Sequence, residues 1–347
     1  MSCENYYCND CLLPWEKRDK TIYQIKPDIG GKYGKSPEER DVKELLKYGF
    51  VNLDKPSGPT SHQVSALIKK FLEVSKAGHG GTLDPKVTGV LPIALEKSTK
   101  VLQYLLTAGK EYIAVMHLHK PVDFEKVKEL EKIFVGEIIQ IPPVRSAVKR
   151  RPRKRKIYYL KIIEYDEERK NVLFRVGTEA GTYIRTLCVQ MGKWLGVGAH
   201  MIALRRTKAG SFNEEDSVNM VEVKDSYYIW KKTGDDSYLR KVITPVENAV
   251  NHLPKVFVDD IAASAILYGA KVLLPGIVKA QKFEKNENIA IFTMKNELIA
   301  IGKALVSFDE MLKLKEETGK GEIIKVDTVL KERDYFPPLW KQLKKNK

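Results

Sequence analysis

The residues best suited to chemistry lie in one short segment, residues 78–85, whose sequence is Gly-His-Gly-Gly-Thr-Leu-Asp-Pro. Glycine adopts backbone angles that other residues resist, and it lets another molecule approach closely. Pro85 fixes its own φ angle and restricts Asp84 before it to an extended conformation. The segment predicts a rigid loop that presents one carboxylate, which suits a nucleophile or a general base. The alternative is a turn in which Asp84 only caps local backbone.

The same segment resembles the catalytic loop of the TruB/dyskerin family of RNA pseudouridine synthases. It matches every fixed position of the family signature Gly-His-x-Gly-x-Leu-Asp-Pro. Residues 51–62, 181–187 and 203–207 are similar to the opening, arginine and closing motifs of that family, in the same order. The resemblance implies an enzyme that breaks the N1–C1′ bond of a uridine in RNA and reattaches the ring through C5. It implies no cofactor.

The resemblance also implies the catalytic residues. Asp84 corresponds to the nucleophile, and attack at C6, attack at C1′ and a glycal route all stay open. Tyr112 matches the active-site tyrosine, whose ring can stack on an extruded uracil and whose hydroxyl could move a proton at C5. Arg185 matches the arginine that orients the catalytic carboxylate through bidentate hydrogen bonds. Without the resemblance, Tyr112 would be interpreted as a core tyrosine and Arg185 as a surface ion pair.

Three further residues are predicted to bind the substrate. The position of His79 in the family loop implies that it lies near the substrate backbone, and Leu204 resembles an apolar floor beneath the target base. Tyr183 precedes Arg185 by two residues, so the two side chains share a face if the segment is extended. We therefore expect the following helix to begin only after Ile184.

A strongly basic run lies in the middle of the chain. Eight of the twelve residues at 145–156 are Lys or Arg, and no carboxylate interrupts them. Such a run is expected to be mobile until it meets a phosphate backbone, although a solvated loop or a localisation tag is also possible. Residues 142–149 are similar to the loop that clamps the substrate RNA in this family. We predict substrate contacts for four side chains: Arg145, Lys149, Lys154 and Arg155.

Bulk composition agrees with a nucleic-acid partner. The chain has 347 residues, a net charge of +15 and 43% hydrophobic residues. A positive excess favours a polyanion, although a merely soluble basic protein is the alternative. No apolar run approaches the ~18 residues of a membrane-spanning helix, and the N-terminus lacks a secretory pattern. We expect a cytoplasmic protein, or a nucleolar one if the source were eukaryotic.

The cysteines give no strong sign of a metal. Without a secretory context, we expect reduced thiols at Cys3, Cys8, Cys11 and Cys188. The C-x4-C-x2-C spacing of the first three invites a zinc interpretation, but no fourth Cys or His lies nearby. We predict no metal site and favour an unstructured N-terminal lead.

Hydrophobic patterns predict an α+β fold, and the resemblance implies a central, mostly antiparallel mixed sheet flanked by helices. Strands are expected at 47–53, 90–95, 111–118, 156–165, 171–178 and again from Lys255. Helices are expected at 99–107, at 123–134 and after a cap at Thr60 or Ser61. The expected apolar helix faces are Val64, Leu67, Ile68 and Phe71 in one helix, and Leu187, Met191, Trp194 and Leu195 in another.

The C-terminal part carries a second resemblance. Residues 255–258, 265–272, 275–277 and 297–304 are similar to a PUA domain, a small β-barrel-like RNA-binding module. Its glycines would let an RNA strand approach the backbone, or they mark turns in a generic β domain. We predict guide-RNA contacts at Gly269, Ala270, Lys271 and Gly276. The expected division is an extension at 1–45 packing on the PUA domain, a catalytic domain at 46–252, the PUA domain at 253–335 and a basic tail at 336–347.

This combination resembles the archaeal counterpart of dyskerin. It implies the catalytic subunit of a box H/ACA ribonucleoprotein, in which a guide RNA selects uridines in rRNA, and possibly in tRNA, during ribosome biogenesis. Three small protein partners are implied: a zinc-ribbon-like protein, a β-barrel protein and a kink-turn-binding protein. The alternatives are a stand-alone tRNA pseudouridine synthase acting in the TΨC arm and a non-catalytic RNA scaffold. The set of Asp84, Tyr112 and Arg185 argues against a scaffold.

Overall fold

The structure, a computed structural model, describes residues 10–28, 30–143 and 149–341. The strands are β1 (Tyr23–Gln24), β2 (Gly49–Lys55), β3 (Ala77–His79), β4 (Thr88–Leu95), β5 (Lys110–Leu118), β6 (Gly136–Gln140), β7 (Arg153–Asp166), β8 (Asn171–Thr178), β9 (Ala199–Ala209), β10 (Phe212–Asn213), β11 (Thr244–Pro245), β12 (Lys255–Val258), β13 (Val272–Leu273), β14 (Ile277–Ala280), β15 (Asn288–Thr293), β16 (Leu298–Ala304) and β17 (Glu322–Val329). The α-helices are α1 (Val42–Lys47), α2 (Ser61–Phe71), α3 (Leu102–Thr107), α4 (Phe124–Ile133), α5 (Ile184–Trp194), α6 (Met220–Thr233), α7 (Ser237–Val242), α8 (Val246–Ala249), α9 (Asp260–Ile266) and α10 (Phe308–Glu317).

A ten-stranded sheet forms the larger part of the described chain. Its strand order is β11-β2-β4-β9-β5-β8-β7-β6, with β3 added beside β4 and β10 beside β9. The pair β4–β9 is parallel, and the other neighbours in this sheet are antiparallel. Helices α4 and α5 pack on one core cluster of the sheet, and α2 and α6 pack on another. The predicted α+β fold, with a mixed and mostly antiparallel sheet, is confirmed.

A second sheet of seven strands lies in the C-terminal part of the described residues. Its order is β1-β14-β12-β15-β16-β17-β13. The edge strand β1 comes from the N-terminal segment and pairs antiparallel with β14, so residues before 45 extend the sheet of the C-terminal part. Phe336 is buried in the core of this sheet together with Ile25.

The two sheets share a continuous interior. Phe50 of β2 belongs to the same buried apolar cluster as Phe257 and Phe292 of the smaller sheet. Beside it lies a buried charge network. The guanidinium of Arg40 donates to both carboxylate oxygens of Glu247, at 2.9 and 2.6 Å, and it lies 3.4 Å from Glu297. Because Glu297 also accepts hydrogen bonds from Lys331 and Tyr335, the network joins the N-terminal segment to both sheets; the five residues are Arg40, Glu247, Glu297, Lys331 and Tyr335.

Most predicted elements are present with small shifts in their bounds. Thr60 caps α2 as expected, because its side chain accepts the amide of Gln63. On the two predicted apolar faces, Leu67 and Trp194 are 37% and 38% exposed, and they lie at the edges of the buried stripes. The strand predicted from residue 47 begins at Gly49, because α1 occupies the preceding residues and its cap Asp41 forms a capping box.

The cysteines differ from the expectation in one respect. Cys11 is disulfide-bonded, so the expectation of a reduced thiol was wrong there, whereas Cys188 is a free thiol in the core. The zinc interpretation involves Cys3 and Cys8, which lie outside the described residues. Within the described ranges, no helix is long and apolar enough to span a bilayer.

A buried histidine makes stability depend on pH. His252 follows α8, and burial lowers its pKa to about 4, although the backbone of Tyr104 opposes this shift. An unfolded histidine titrates near 6.5, so between about pH 6.5 and 4 the unfolded chain binds a proton that the folded chain does not. We expect the free energy of unfolding to fall by about 3 kcal/mol over that range relative to a His252→Gln variant. Chemical denaturation at each pH measures it.

The matched control is His62→Gln, which replaces an exposed imidazole. If the wild type and His252→Gln lose stability in parallel on acidification, His252 is not the titrating group.

Candidate active site

Asp84 lies in the loop between β3 and β4. Its side chain is 57% exposed, while Leu83 and Val87 on either side of it are buried. The amide of Val87 donates to the carbonyl of Asp84 at 3.0 Å, which closes a tight turn around Pro85. The loop therefore presents its carboxylate to solvent from a backbone that is packed on both sides, as the Gly-rich segment predicted.

Two buried polar side chains hold this loop. The hydroxyl of Ser61 accepts the amide of Leu83 at 2.8 Å and donates to its carbonyl at 3.1 Å. The ammonium group of Lys55 donates to the carbonyls of Pro56, Pro85 and Val87 at 2.8–3.1 Å. Burial lowers the pKa of Lys55, and the nearby charge of Asp84 opposes this shift. Because three N–H groups of Lys55 meet three carbonyls, two of them in the Asp84 loop, its buried charge is satisfied by backbone groups.

Arg185 meets Asp84 across the mouth of the loop. Its Nη2 lies 2.8 Å from Oδ2 of Asp84, and each side chain is 57% exposed. An ion pair this exposed contributes little stability, so its main effect is to orient the carboxylate. The spacing between the two residues along the chain is 101 positions, and the sequence-based pairing of Asp84 with Arg185 corresponds to a direct contact.

The segment that carries Arg185 differs from the expectation. Helix α5 begins at Ile184 with Tyr183 as its N-cap, so Arg185 is already helical and the expected start after Ile184 was wrong. Tyr183 itself is extended, because the amide and the carbonyl of its backbone both bond the side chain of Gln140. This anchor fixes Tyr183 in place, and the helix can start at the next residue.

Tyr112 and Leu204 lie on neighbouring strands. Tyr112 is on β5 opposite Arg206 of β9, and Leu204 is on β9 opposite Ala114. Both side chains are half-buried and contact the same two core clusters. Arg206 is fully buried and donates to the carbonyl of Gly81 in the Asp84 loop at 3.1 Å. The strand pair β5–β9 therefore brings the predicted tyrosine and apolar floor to the loop that carries the carboxylate.

His79 ends β3 at the start of the loop. Its ring lies 4.8 Å from that of His62, edge to face, and neither of its ring nitrogens has a hydrogen-bond partner in the described chain. Burial lowers the pKa of His79, and the charges of His62 and Arg206 act in the same direction. Both ring nitrogens are buried, so a ligand could reach them only if the side chains around His79 moved.

The basic run is more ordered than expected at its C-terminal end. Residues 153–156 are part of β7 and pair with β6, so they are not a mobile loop. Lys154 forms an ion pair with Glu137 across the strands, and Arg155 donates to the carbonyl of Gly181, just before α5. Lys149 is exposed, while Arg145 lies outside the described residues. The carboxylate that pairs with Lys154 belongs to Glu137 on the neighbouring strand β6, so the sequence of the basic run alone could not predict it.

The predicted guide-binding residues lie at the other sheet. Gly269 has a φ of +87°, and a side chain there would meet open space. Ala270 and Lys271 are also exposed, and Lys271 pairs with Glu322. Gly276 packs against α9, where a Cβ would lie 2.6 Å from that of Ala262, so the fold itself requires this glycine.

The carboxylate of Asp84 and the guanidinium of Arg185 are both exposed to solvent. Two cavities of about 440 and 380 Å³ lie elsewhere, one lined by Asp123 and Tyr165 and the other by His119 and Gly198. Within the described ranges, no three His, Cys, Asp or Glu side chains are arranged to hold a metal ion. An exposed carboxylate beside an arginine, with a tyrosine and a leucine nearby, can receive one nucleotide of a larger polymer.

Sequence reasoning missed the buried anchors Lys55, Ser61 and Arg206. Lys55 and Arg206 lie in strands that carry other polar residues as well, so their charges did not stand out in the sequence. Their partners are backbone carbonyls, which carry no mark in the sequence.

Comparisons with known proteins agree with this geometry. The model of the TruB family pseudouridylate synthase N-terminal domain matches residues 69–184, and that of the tRNA pseudouridylate synthase B C-terminal domain matches 185–251. Models of the DKCLD and PUA domains match 15–65 and 254–330. A probable tRNA pseudouridine synthase B of Pyrococcus abyssi is 51% identical over 95% of this chain and 98% of its own. The chain belongs to the TruB family of pseudouridylate synthases.

Other relatives and solved structures extend the comparison. A probable tRNA pseudouridine synthase B of Nanoarchaeum equitans is 49% identical over 98% of each chain. A chain from a crystal structure of a Cbf5-Nop10-Gar1 complex is 49% identical, with a TM-score of 0.87 over 94% of this chain and 98% of that one. A chain from an H/ACA RNP bound to a substrate RNA containing 2′-deoxyuridine is 46% identical, with a TM-score of 0.86 over 95% and 100%. This synthase is thus an RNA isomerase with a PUA domain, as the motifs predicted.

The ordered part of the basic run gives a test of RNA contact. Changing Lys154, Arg155 and Lys156 to Gln should weaken RNA binding and reduce the slope of log K against log salt by about 2 to 3, because each phosphate contact contributes roughly 0.7–0.9. Binding titrations at several salt concentrations measure the slope. The control changes three lysines of α4, namely Lys126, Lys128 and Lys132, to Gln. An equal slope in both triple variants would mean that β7 makes no special contact.

Proposed function

We propose that this synthase converts uridine to pseudouridine in RNA with Asp84 as the nucleophile, Arg185 as its orienting partner and Tyr112 at the base. The contact between Arg185 and Asp84 carries this proposal, because it links two separately predicted motifs on an exposed and firmly held loop. The isomerisation breaks the N1–C1′ bond, forms a C5–C1′ bond, removes the proton from C5 and places one on N1. It needs neither oxidant nor reductant.

Each side chain has a role that its position supports. Arg185 holds the carboxylate of Asp84 directed outward, where it can attack the extruded nucleotide. Tyr112 can cover one face of the uracil and move the C5 proton through its hydroxyl, and Leu204 forms an apolar floor. His79 lies at the start of the Asp84 loop, where it would approach the RNA backbone, and Tyr183 precedes Arg185 by two residues.

The remaining predicted contacts form two RNA surfaces. Lys149, Lys154, Arg155 and, outside the described residues, Arg145 would contact the substrate. Gly269, Ala270, Lys271 and Gly276 would contact a guide RNA on the PUA domain. We propose residues 46–252 as the catalytic unit, 253–335 as the PUA unit, 1–45 as an extension packed on it and 336–347 as a basic tail, in a cytoplasmic protein. The pairing of β1 with β14 supports the placement of the extension.

We further propose that the enzyme acts within a guide-directed ribonucleoprotein. The support is the similarity, over more than nine-tenths of the chain, to proteins solved in a Cbf5-Nop10-Gar1 complex and in an H/ACA RNP with substrate RNA. The partners would be a box H/ACA guide RNA, rRNA and tRNA substrates, and small proteins of the zinc-ribbon-like, β-barrel and kink-turn-binding kinds.

A second candidate is guide-independent action on the TΨC arm of tRNA. The names of the similar archaeal proteins favour it, since both are probable tRNA pseudouridine synthases B. Both roles use the same Asp84 site, so the geometry of that site does not discriminate between them.

Replacing the nucleophile tests the site. Asp84→Asn should abolish pseudouridine formation while RNA affinity stays within a few-fold of the wild type, because the change removes a nucleophile and no phosphate contact. Product is measured by pseudouridine mapping, and affinity by direct binding. Asp123→Asn changes another exposed carboxylate and should leave the product unaffected. Normal turnover by Asp84→Asn would remove Asp84 from its role.

Guide dependence is tested by comparing two substrates. The purified chain is given a bare tRNA transcript, and in parallel an rRNA fragment with and without a matching guide RNA and the small partner proteins. We expect rRNA product only with the guide. Strong turnover on tRNA together with no guide-dependent product would favour the second candidate, and binding without any product would favour a scaffold.

A further inference from the structure

Arg206 is a fully buried arginine with an unusual set of partners. It is 1% exposed, and in the described part of the chain no carboxylate forms an ion pair with it. Burial lowers its pKa, and a hydrogen bond and charge interaction with Tyr112 oppose the shift. Burying a guanidinium without a carboxylate partner costs free energy unless its N–H groups form hydrogen bonds. The hydrogen-bond acceptors of Arg206 therefore indicate its role.

Its acceptors are carbonyl oxygens of two separate elements. Nε donates to the carbonyl of Val90 in β4 at 2.7 Å, and Nη2 donates to the carbonyl of Gly81 in the Asp84 loop at 3.1 Å. On the neighbouring strand β5, Tyr112 lies directly opposite Arg206 in the pairing of β5 with β9. One rigid, planar group therefore bonds the strand after the loop and the loop itself, and it lies beside the tyrosine.

The backbone of Arg206 is also fixed. It pairs with Gly89 of β4 in the parallel part of the sheet. Gly89 has a φ of +102°, and a Cβ there would lie 2.1 Å from the carbonyl oxygen of Arg206. Because only glycine allows this close approach, the backbone from which the Arg206 side chain extends is held in place.

We infer that Arg206 is a positioning residue for Tyr112, setting the phenol oxygen at a fixed place relative to the loop that carries Asp84. The inference rests on the proposed function of Tyr112. Proton transfer and stacking both require the tyrosine to be placed within fractions of an ångström. Arg206 does not touch the substrate; it lies across the strand pair from Tyr112 and bonds the backbone three residues before Asp84.

Two neighbouring cations are distinguished from Arg206 by their partners. Lys110 is buried beside Gly81, but its ammonium group donates to the carbonyls of Leu105, Leu106 and Ala108, at the end of α3. Arg205 bonds Asp54 in β2 and Glu214 and is partly exposed, and these side chains belong to no part of the Asp84 site. Arg205 therefore supplies a matched control one residue away.

The experiment places a spectroscopic label on the tyrosine. The full chain carries 3-fluorotyrosine at position 112, and its fluorine resonance is recorded in the wild type, Arg206→Met, Arg206→Lys and Arg205→Met. We expect Arg206→Met to move or broaden the resonance, Arg206→Lys to do so less because it keeps a donor, and Arg205→Met to leave it in place.

Turnover is measured on the same changes without the label. Arg206→Met should lower kcat on the order of 10- to 100-fold, as misplacement of a reacting group does. KM for RNA should stay within about threefold, and Arg206→Lys should recover part of the loss. Arg205→Met should keep both constants within about threefold of the wild type. Thermal unfolding of each variant shows whether a loss merely follows global destabilisation.

The outcomes separate the two proposals. An unmoved fluorine signal in Arg206→Met, or an equal response in Arg205→Met, overturns the positioning role whatever the activity. If Arg206→Met does not fold, Arg206→Lys is judged by the same two readouts. If the wild type makes no pseudouridine but the signal responds to Arg206 alone, the proposed function fails and the structural link stands.

Discussion

The site depends on hydrogen bonds between buried side chains and the backbone of one loop. Lys55 holds the carbonyls of Pro85 and Val87, and Ser61 holds both backbone groups of Leu83. A buried donor or acceptor that loses its partner costs about 1–3 kcal/mol, so moving the loop would break several bonds at once. Buried side chains therefore hold the backbone of the loop, while the carboxylate of Asp84 is exposed and accessible to a substrate.

The sheet brings distant parts of the chain to that loop. Strands β4 and β9 run parallel and meet where Gly89 lies against Arg206, and β5 pairs with β9 on its other side. Helix α5 begins at Ile184, which puts Arg185 at the mouth of the loop. The helix start and the strand pairs thereby bring arginine, tyrosine and leucine to one exposed carboxylate. An exposed carboxylate suits a nucleotide that remains attached to a large RNA.

The junction between the two sheets contains buried ion pairs. Two buried carboxylates, Glu247 and Glu297, face two buried cations, Arg40 and Lys331, so the network is balanced in charge. Buried ion pairs add little net stability compared with apolar packing, but breaking one leaves an uncompensated charge, which favours a single arrangement. The catalytic sheet and the PUA sheet therefore keep a fixed relation. The proposed substrate surface and the proposed guide surface would then keep a fixed spacing.

The sequence by itself determined the local features: the rigid loop at Asp84, the cap of α2 at Thr60, and the strands whose periodicity needs no partner to be recognised. It also paired Asp84 with Arg185, because each lies in a family motif of fixed residue types. Only the tertiary structure decided the roles of Lys55 and Arg206 and the order at residues 153–156. Lys55 and Arg206 bond carbonyls elsewhere in the chain, and Lys154 pairs with a carboxylate of another strand. A hydrogen bond to a distant backbone group leaves no pattern in the sequence around the residue that forms it.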